Sequence, residues 1–340
     1  MFTFEMQKGS FTVLNLTDPQ LNECHYDPSD PEFDHSYAVL DRTVRTLIDR
    51  VQPDLITITG DISMADQPKA YPAFADYMDG FGIPWCLVWG NHDQQDVVER
   101  INFVYKVLPY FRGKNHFFHE DGDPAMGNGN YIIAIEKDGR PVHALFMMDS
   151  HNCVWLPDEN GVKHFYYDKL NETQIIWYKE QATALKAQGC GHTSMLMHIP
   201  IHAYQQAVDA AFTPGIDTRR VTLEESYGTG CWNPGYEDSY GVKYERGPIA
   251  CYPYDDGVFA AIEEVGTMDN VISGHIHTDN FVIPYRGVRL AFATKTGRVH
   301  PFCYPLNGGT VITIHADGRS DLRHEYVDVE DLLTEKDPRF

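Results

Sequence analysis

The feature that most constrains this chain is a pairing that recurs five times: a short apolar run ends in a loop carrying Asp, Asn or His. Residues 11–16 run into Thr17, Asp18, Pro19 and Gln20, residues 54–59 into Gly60 and Asp61, and residues 83–89 into Gly90, Asn91, His92 and Asp93. Residues 193–197 lead to His198, with His202 four positions on, and residues 270–273 lead to Gly274, His275, Ile276 and His277. Short apolar runs bounded by turn-forming residues read as strands. Between the first two, Tyr37, Leu40, Val44, Leu47, Ile48 and Val51 recur at helical spacing until Pro53 stops them. A second helix is expected over 68–79. The result is a β-α-β rhythm, and in such sheets the loops at the carboxyl ends of the strands converge on one crevice.

Farther along, a helix is expected over 96–108. Strands over 131–136 and 143–148 are joined by a hairpin signal at 137–140. Ile175, Tyr178, Ala182 and Leu185 form one helical face, residues 258–266 read as a helix, and strands near Phe281, Arg289 and 310–314 complete a sheet. Periodicity fails over 204–256, where Gly, Pro, Tyr and Trp dominate. A loop of that length in a folded chain is usually functional or disordered, and its aromatic content argues against disorder. The chain therefore reads as a single domain, 1–340, whose 204–256 insertion acts as a substrate lid.

Composition narrows the partners. Of the 340 residues, 43% are hydrophobic and 22% charged, which is ordinary for a folded protein. A formal net charge of −22 opposes binding to nucleic acid. An acidic protein that handles phosphate needs local positive charge, which divalent cations supply. The seven cysteines are an odd number without CxxC spacing, so reduced thiols and a cytoplasmic location are expected. The N-terminus lacks the pattern of a signal peptide, and no apolar stretch is long enough for a membrane span. Nothing in the sequence reads on oligomeric state.

The five loops offer carboxylate, amide and imidazole ligands and no thiolate, a set suited to Mn, Fe or Zn. One such loop alone would read as a turn. Five in order, each after an expected strand, point to a metal centre. In order and spacing they resemble the calcineurin-like metallophosphoesterases. Asn130 and Tyr131, Met148 to Ser150, Gln174 to Trp177, His198 to Pro200, Gly274 to Phe281 and Lys295 to Gly297 further resemble the purple-acid-phosphatase-like branch.

That resemblance implies an α/β fold, a four-layer αββα sandwich of two mixed sheets flanked by helices. It implies two metal ions (Mn, Fe or Zn), one held by Asp18, Gln20, Asp61 and His277 and the other by Asp61, Asn91, His198 and His275. Asp61 would bridge them, since cations about 3.5–4 Å apart need shared anionic ligands, and a bridging hydroxide would attack phosphorus. Gln20 departs from the family's histidine. Its carbonyl oxygen is a weaker ligand, and the alternative is a loop glutamine bonded to backbone beside a single metal. The family's iron-binding tyrosine is missing after Asp61, so no purple colour is expected. His92, next to ligand Asn91, is expected to assist the leaving group, oriented by Asp61 or Asp93.

His25, His202, Tyr204 and Trp232 are candidate substrate contacts, although His202 also reads as a structural histidine and lid aromatics also pack inward. The expected activity is metal-dependent hydrolysis of the phosphate monoester of a small molecule. A phosphodiesterase or nucleotide pyrophosphatase is the alternative, and a non-catalytic scaffold is a third reading.

Overall fold

Strands buried on both faces form the body of the molecule. The computed structural model describes residues 1–21, 31–64, 70–94, 115–118, 124–212, 232–245, 247–300, 302, 304–335 and 337. Its elements run β1 (Phe2–Glu5), β2 (Ser10–Leu16), α1 (Pro31–Val51), β3 (Leu55–Thr59), α2 (Ala70–Asp79), β4 (Trp85–Val88) and the helical turn α3 (Asn91–Gln94). After these come β5 (Tyr131–Lys137), β6 (Arg140–Met147), β7 (Cys153–Pro157), β8 (Lys163–Tyr167), α4 (Glu172–Ala187), β9 (His192–Met197) and α5 (Ala203–Ala211). The last are α6 (Val258–Val265), β10 (Met268–Ser273), β11 (Val282–Tyr285), β12 (Val288–Phe292), β13 (Gly308–His315) and β14 (Ser320–Tyr326).

Two mixed sheets result, in strand orders β1-β5-β6-β9-β10-β12-β11 and β14-β13-β2-β3-β4, and β7 and β8 pair as a separate hairpin. Side chains alternate between faces along each strand. Val13, Leu55, Cys86 and Val88 of the smaller sheet therefore pack inward against Ile133, Leu145, Leu196 and Ile272 of the larger. The outward set of the smaller sheet, Leu14, Leu16, Ile56 and Ile58, meets Val44 and Leu47 of α1 and Phe74 of α2. On the far side, Phe146, Met195 and Val271 are covered by Tyr178 of α4, Ala207 of α5 and Ile262 of α6. This is the αββα sandwich. A one-residue slip of β3 would exchange its two faces and set Thr57 and Thr59 where Leu55, Ile56 and Ile58 now pack, which fixes the register.

The strands β2, β3 and β4 are mutually parallel, as are β9 and β10, so the polar loops gather at strand ends. Elsewhere sequence and structure part. The helix expected at 96–108 lies outside the described residues. Within the aperiodic 204–256 segment, α5 is a regular amphipathic helix. The strands β1, β7, β8 and β14 were not expected. Among the described residues no helix is long and apolar enough to cross a membrane.

Candidate metal centre

Backbone strain marks the centre first. Asp18, Gln20, Asp61 and His275 all have positive φ, 51°, 47°, 54° and 75°, in the left-handed region that L-residues rarely adopt. Such strain persists only where surrounding structure enforces it. The enforcement is visible. Asp93 is buried, and its carboxylate accepts from the backbone N–H of Asp61 at 2.8 Å, Gly90 at 2.8 Å and Ser63 at 3.2 Å, and from the Tyr71 hydroxyl at 3.0 Å. It ties the loops after β3 and β4 together. A Cβ on Gly90 would lie 2.1 Å from Asp61 Oδ1, so only glycine permits this approach.

The remaining loops are held the same way. Thr296 exchanges bonds with the Thr17 backbone, and the Gly297 N–H donates to the Asp18 carbonyl, clamping the loop after β2. Gln174 closes a capping box with Asn171 at the start of α4 and donates to Asn130 Oδ1 and the Asp149 carbonyl. Neighbouring Ser150 accepts from the Ile199 N–H, one residue past His198. The branch motifs around Asn130, Asp149 and Gln174 are thus one buried network that supports the His198 loop.

These supports bring the expected ligands together. Asp18, Asp61 and His277 place ligand atoms within 4.8 Å of one another. His277 Nε2 lies 3.1 Å from Asp18 Oδ1. His198 Nε2 lies 3.0 Å from Asn91 Oδ1 and 3.3 Å from Asp61 Oδ2. Its Nδ1 donates to the Thr59 carbonyl at 2.7 Å, which aims Nε2 at the centre. His275 Nε2 is buried without a hydrogen-bond partner, an orphan that a metal would satisfy.

Electrostatics agree with that fit. Burial would raise Asp18, yet His277, His198 and Lys295 hold it well below the usual carboxylate range. Burial would lower His198, yet Asp61 and Asp18 lift it to about 9, so a cation binding there would displace a proton from it. Burial and His198 push His275 down to about 3, leaving it in the neutral, ligating form. Buried carboxylates facing imidazoles are a donor set that fits a pair of cations.

Gln20 is the exception. Its Oε1, the atom that would ligate, accepts from the Lys295 ammonium at 2.6 Å, while Nε2 faces Asp61 Oδ2 at 3.3 Å and His277 Nε2 at 3.2 Å. An ammonium has no acceptor, so the pairing fixes which way the amide points. In this arrangement Gln20 is a donor toward the centre, not an oxygen ligand. Lys295 is fully buried in this pairing, where burial lowers it to about 8 against the pull of Asp18 and Asp61.

His92 sits at the edge of the centre. Its backbone N–H donates to Asp61 Oδ1 at 2.9 Å and its Nε2 lies 3.9 Å from Asp61 Oδ2, so Asp61 rather than Asp93 is its neighbour. His300 stacks on it at 5.2 Å, and Tyr167 packs edge-on against His275 at 4.2 Å. Lys295, His300 and Tyr167 carried no role in the sequence reading. Only Lys295 had a signal, its place in a branch motif.

The expected substrate contacts fare unevenly. His25 lies outside the described residues. Tyr204 is fully buried, and its hydroxyl donates to the Val271 and Ala291 carbonyls, so it is a core residue and not a substrate contact. Trp232 is 6% exposed and packs on Phe212 at 4.5 Å, joining the core instead of forming a clamp. The backbone N–H of His202 donates to Asp256 and its Nδ1 pairs with the Tyr252 carbonyl, while the ring borders a cavity.

The family model for calcineurin-like phosphoesterases matches residues 11–279. The chain belongs to the calcineurin-like phosphoesterase family. It is 28% identical over 217 residues to a Saccharomyces cerevisiae protein named phosphatase DCR2, covering 59% of this chain and 36% of that protein. It is 26% identical over 313 residues to an Arabidopsis thaliana protein named probable inactive purple acid phosphatase 14, covering 85% of this chain and 71% of that one. The chain thus spans about a third of the yeast relative. Among solved structures, a dimetal phosphatase from Danio rerio shares the calcineurin-like fold with a TM-score of 0.58 and 13% identity, over 95% of this chain and 98% of that one.

Proposed function

We propose that the chain is a metal-dependent phosphoesterase that hydrolyses phosphate monoesters of small molecules. The observation that carries this reading is the position of Asp61 Oδ2. It lies 3.3 Å from His198 Nε2, within the group of Asp18 and His277, and beside His92. A carboxylate between two ligand sets is what a two-cation centre needs, and the yeast and zebrafish relatives carry phosphatase names. Two cations bound there supply Lewis-acid activation of water and neutralise phosphoryl charge.

The chain's own side chains do the rest. Asp18, Asp61 and His277 would hold one ion, and Asp61, Asn91, His198 and His275 would hold the other. Gln20 turns its amide nitrogen toward Asp61 and His277, where it helps to position those two side chains. His92 stands beside the shared carboxylate on the solvent side, placed to protonate the leaving oxygen, and the stacked His300 keeps its ring in that plane. Burial and the neighbouring His92 push His300 down to about 4, so it stays neutral near pH 7 and does not repel the ring it holds. The 204–256 segment is read as a lid, its 248–253 stretch bordering the cavity near Tyr167.

The Arabidopsis relative's printed name includes "inactive", so activity must be assayed directly. Mn²⁺-loaded protein should hydrolyse p-nitrophenyl phosphate faster than bis-p-nitrophenyl phosphate or ADP-ribose. The opposite preference would establish the diesterase or pyrophosphatase alternative. Purified protein without metal, inactive under every divalent cation, would establish the scaffold.

A further inference from the structure

An aromatic ladder on the β7–β8 hairpin begins at the metal centre. Tyr167 packs against His275 at 4.2 Å, Phe165 against Tyr167 at 5.4 Å, and Trp155 against Phe165 at 5.7 Å. Residues 165 and 167 share a face because strand side chains alternate, and Trp155 joins them because it pairs with Phe165 across the hairpin. Trp155 is 58% exposed and Phe165 48%. Rings left this open on a short hairpin mark a binding surface rather than a core.

Beside the ladder lies a cavity of about 370 Å³, bordered by Phe165, Tyr167, His202, Ile249, Cys251 and Pro253. That is at the small end of the roughly 300–1,000 Å³ typical of ligand pockets. Tyr167 belongs to both places, through its 4.2 Å contact with the His275 ring and its position in the cavity wall. Among the described residues, no Asp, Glu, Lys or Arg side chain borders the cavity. Its polar groups are largely engaged: Gln205 accepts from the Ile249 N–H and donates to Asp209, and the Cys251 thiol donates to the Tyr252 carbonyl. His202 spends Nδ1 on the Tyr252 carbonyl, which leaves Nε2 as the ring's second hydrogen-bonding position.

We propose that this cavity is the subsite for the ester substituent of the substrate, and that the substituent is a planar aromatic group. The cavity offers rings, aliphatic walls, one imidazole and the phenols of Tyr166 and Tyr167, which suits a stacked ring with a hydrogen-bonding edge and, among the described residues, gives a charged chain no counter-charge. The inference rests on the phosphoesterase reading, since it takes phosphorus to sit at the His275 end of the ladder. An aryl ring and a nucleobase share this chemistry.

Aryl esters also carry better leaving groups, so the subsite must be read in binding and not in kcat. Calorimetry on the Mn²⁺-loaded full chain should show phenylphosphonate binding on the order of tenfold tighter than methylphosphonate, the worth of one stacked ring. Ile249→Arg, which fills the cavity, and Phe165→Ala, which changes a half-exposed side chain without opening the core, should each bring the two affinities together. In turnover, KM for 1-naphthyl phosphate and for adenosine 5′-monophosphate, set against glycerol phosphate, distinguishes the aryl from the nucleobase source. Equal phosphonate affinities in the wild type, with turnover retained, would overturn the subsite alone. A phosphonate preference without turnover of any ester would keep the subsite and overturn the monoesterase reading.

Discussion

Lys295 reaches Gln20 across 275 positions of sequence, and that contact decides what Gln20 can do. A glutamine after the first strand invites an oxygen-ligand assignment, and only the buried ammonium behind it turns the carbonyl away. Lys295→Met should free the carbonyl and remove a cation from beside the first metal position. Calorimetric titration with Mn²⁺ should then show tighter binding at the weaker site, on the order of tenfold. Unchanged affinity would mean that Lys295 does not restrain Gln20. His92 touches the centre only through Asp61 and its own backbone, so His92→Ala should keep full metal content and lose roughly 10²–10⁴-fold in kcat. Loss of metal together with activity would make it a structural residue.

At the scale of elements, the site was legible because each ligand follows an apolar run whose end can be read directly. The strands β2, β3, β4, β9 and β10 announce themselves by short, mainly apolar and β-branched runs, and the ligand loops come with them. What was hidden had physical reasons. Strand β14 alternates cleanly, but its buried positions include Ser320 and His324, so the inward face reads as polar. Helix α5 begins three residues after Pro200, at the head of a Gly- and Tyr-rich stretch, and is too short to dominate a periodicity window. Tyr204 then read as a site residue because its helix was not seen. As a core residue whose hydroxyl serves two buried carbonyls, Tyr204→Phe should cost about 1–3 kcal/mol of stability by denaturant unfolding and leave KM unchanged. A raised KM with unchanged stability would return Tyr204 to the substrate site.

At the scale of the whole molecule, two buried histidines that are not ligands contribute to its acid sensitivity. Burial pushes His143 and His324 from 6.5 down to about 4, and both are satisfied while neutral, His143 by the Gly318 carbonyl and Ser194, His324 by the Asn280 carbonyl and Thr310. The unfolded chain binds these protons more readily. Their contribution is therefore fully present above about pH 6.5 and is lost as pH falls toward 4, on the order of 3 kcal/mol per ring. Thermal unfolding between pH 7 and pH 4.5 should show a falling midpoint whose slope is shallower in the double variant His143→Asn, His324→Asn. Equal slopes would contradict the assignment. Both sheets exist, on this account, to hold two ligand sets against one shared carboxylate. Anomalous scattering from crystals grown with Mn²⁺ tests that claim most directly. Two peaks about 3.5–4 Å apart are expected, with Asp61 ligating both and the Gln20 oxygen still on Lys295. A single peak, or two peaks that do not share Asp61, would contradict it.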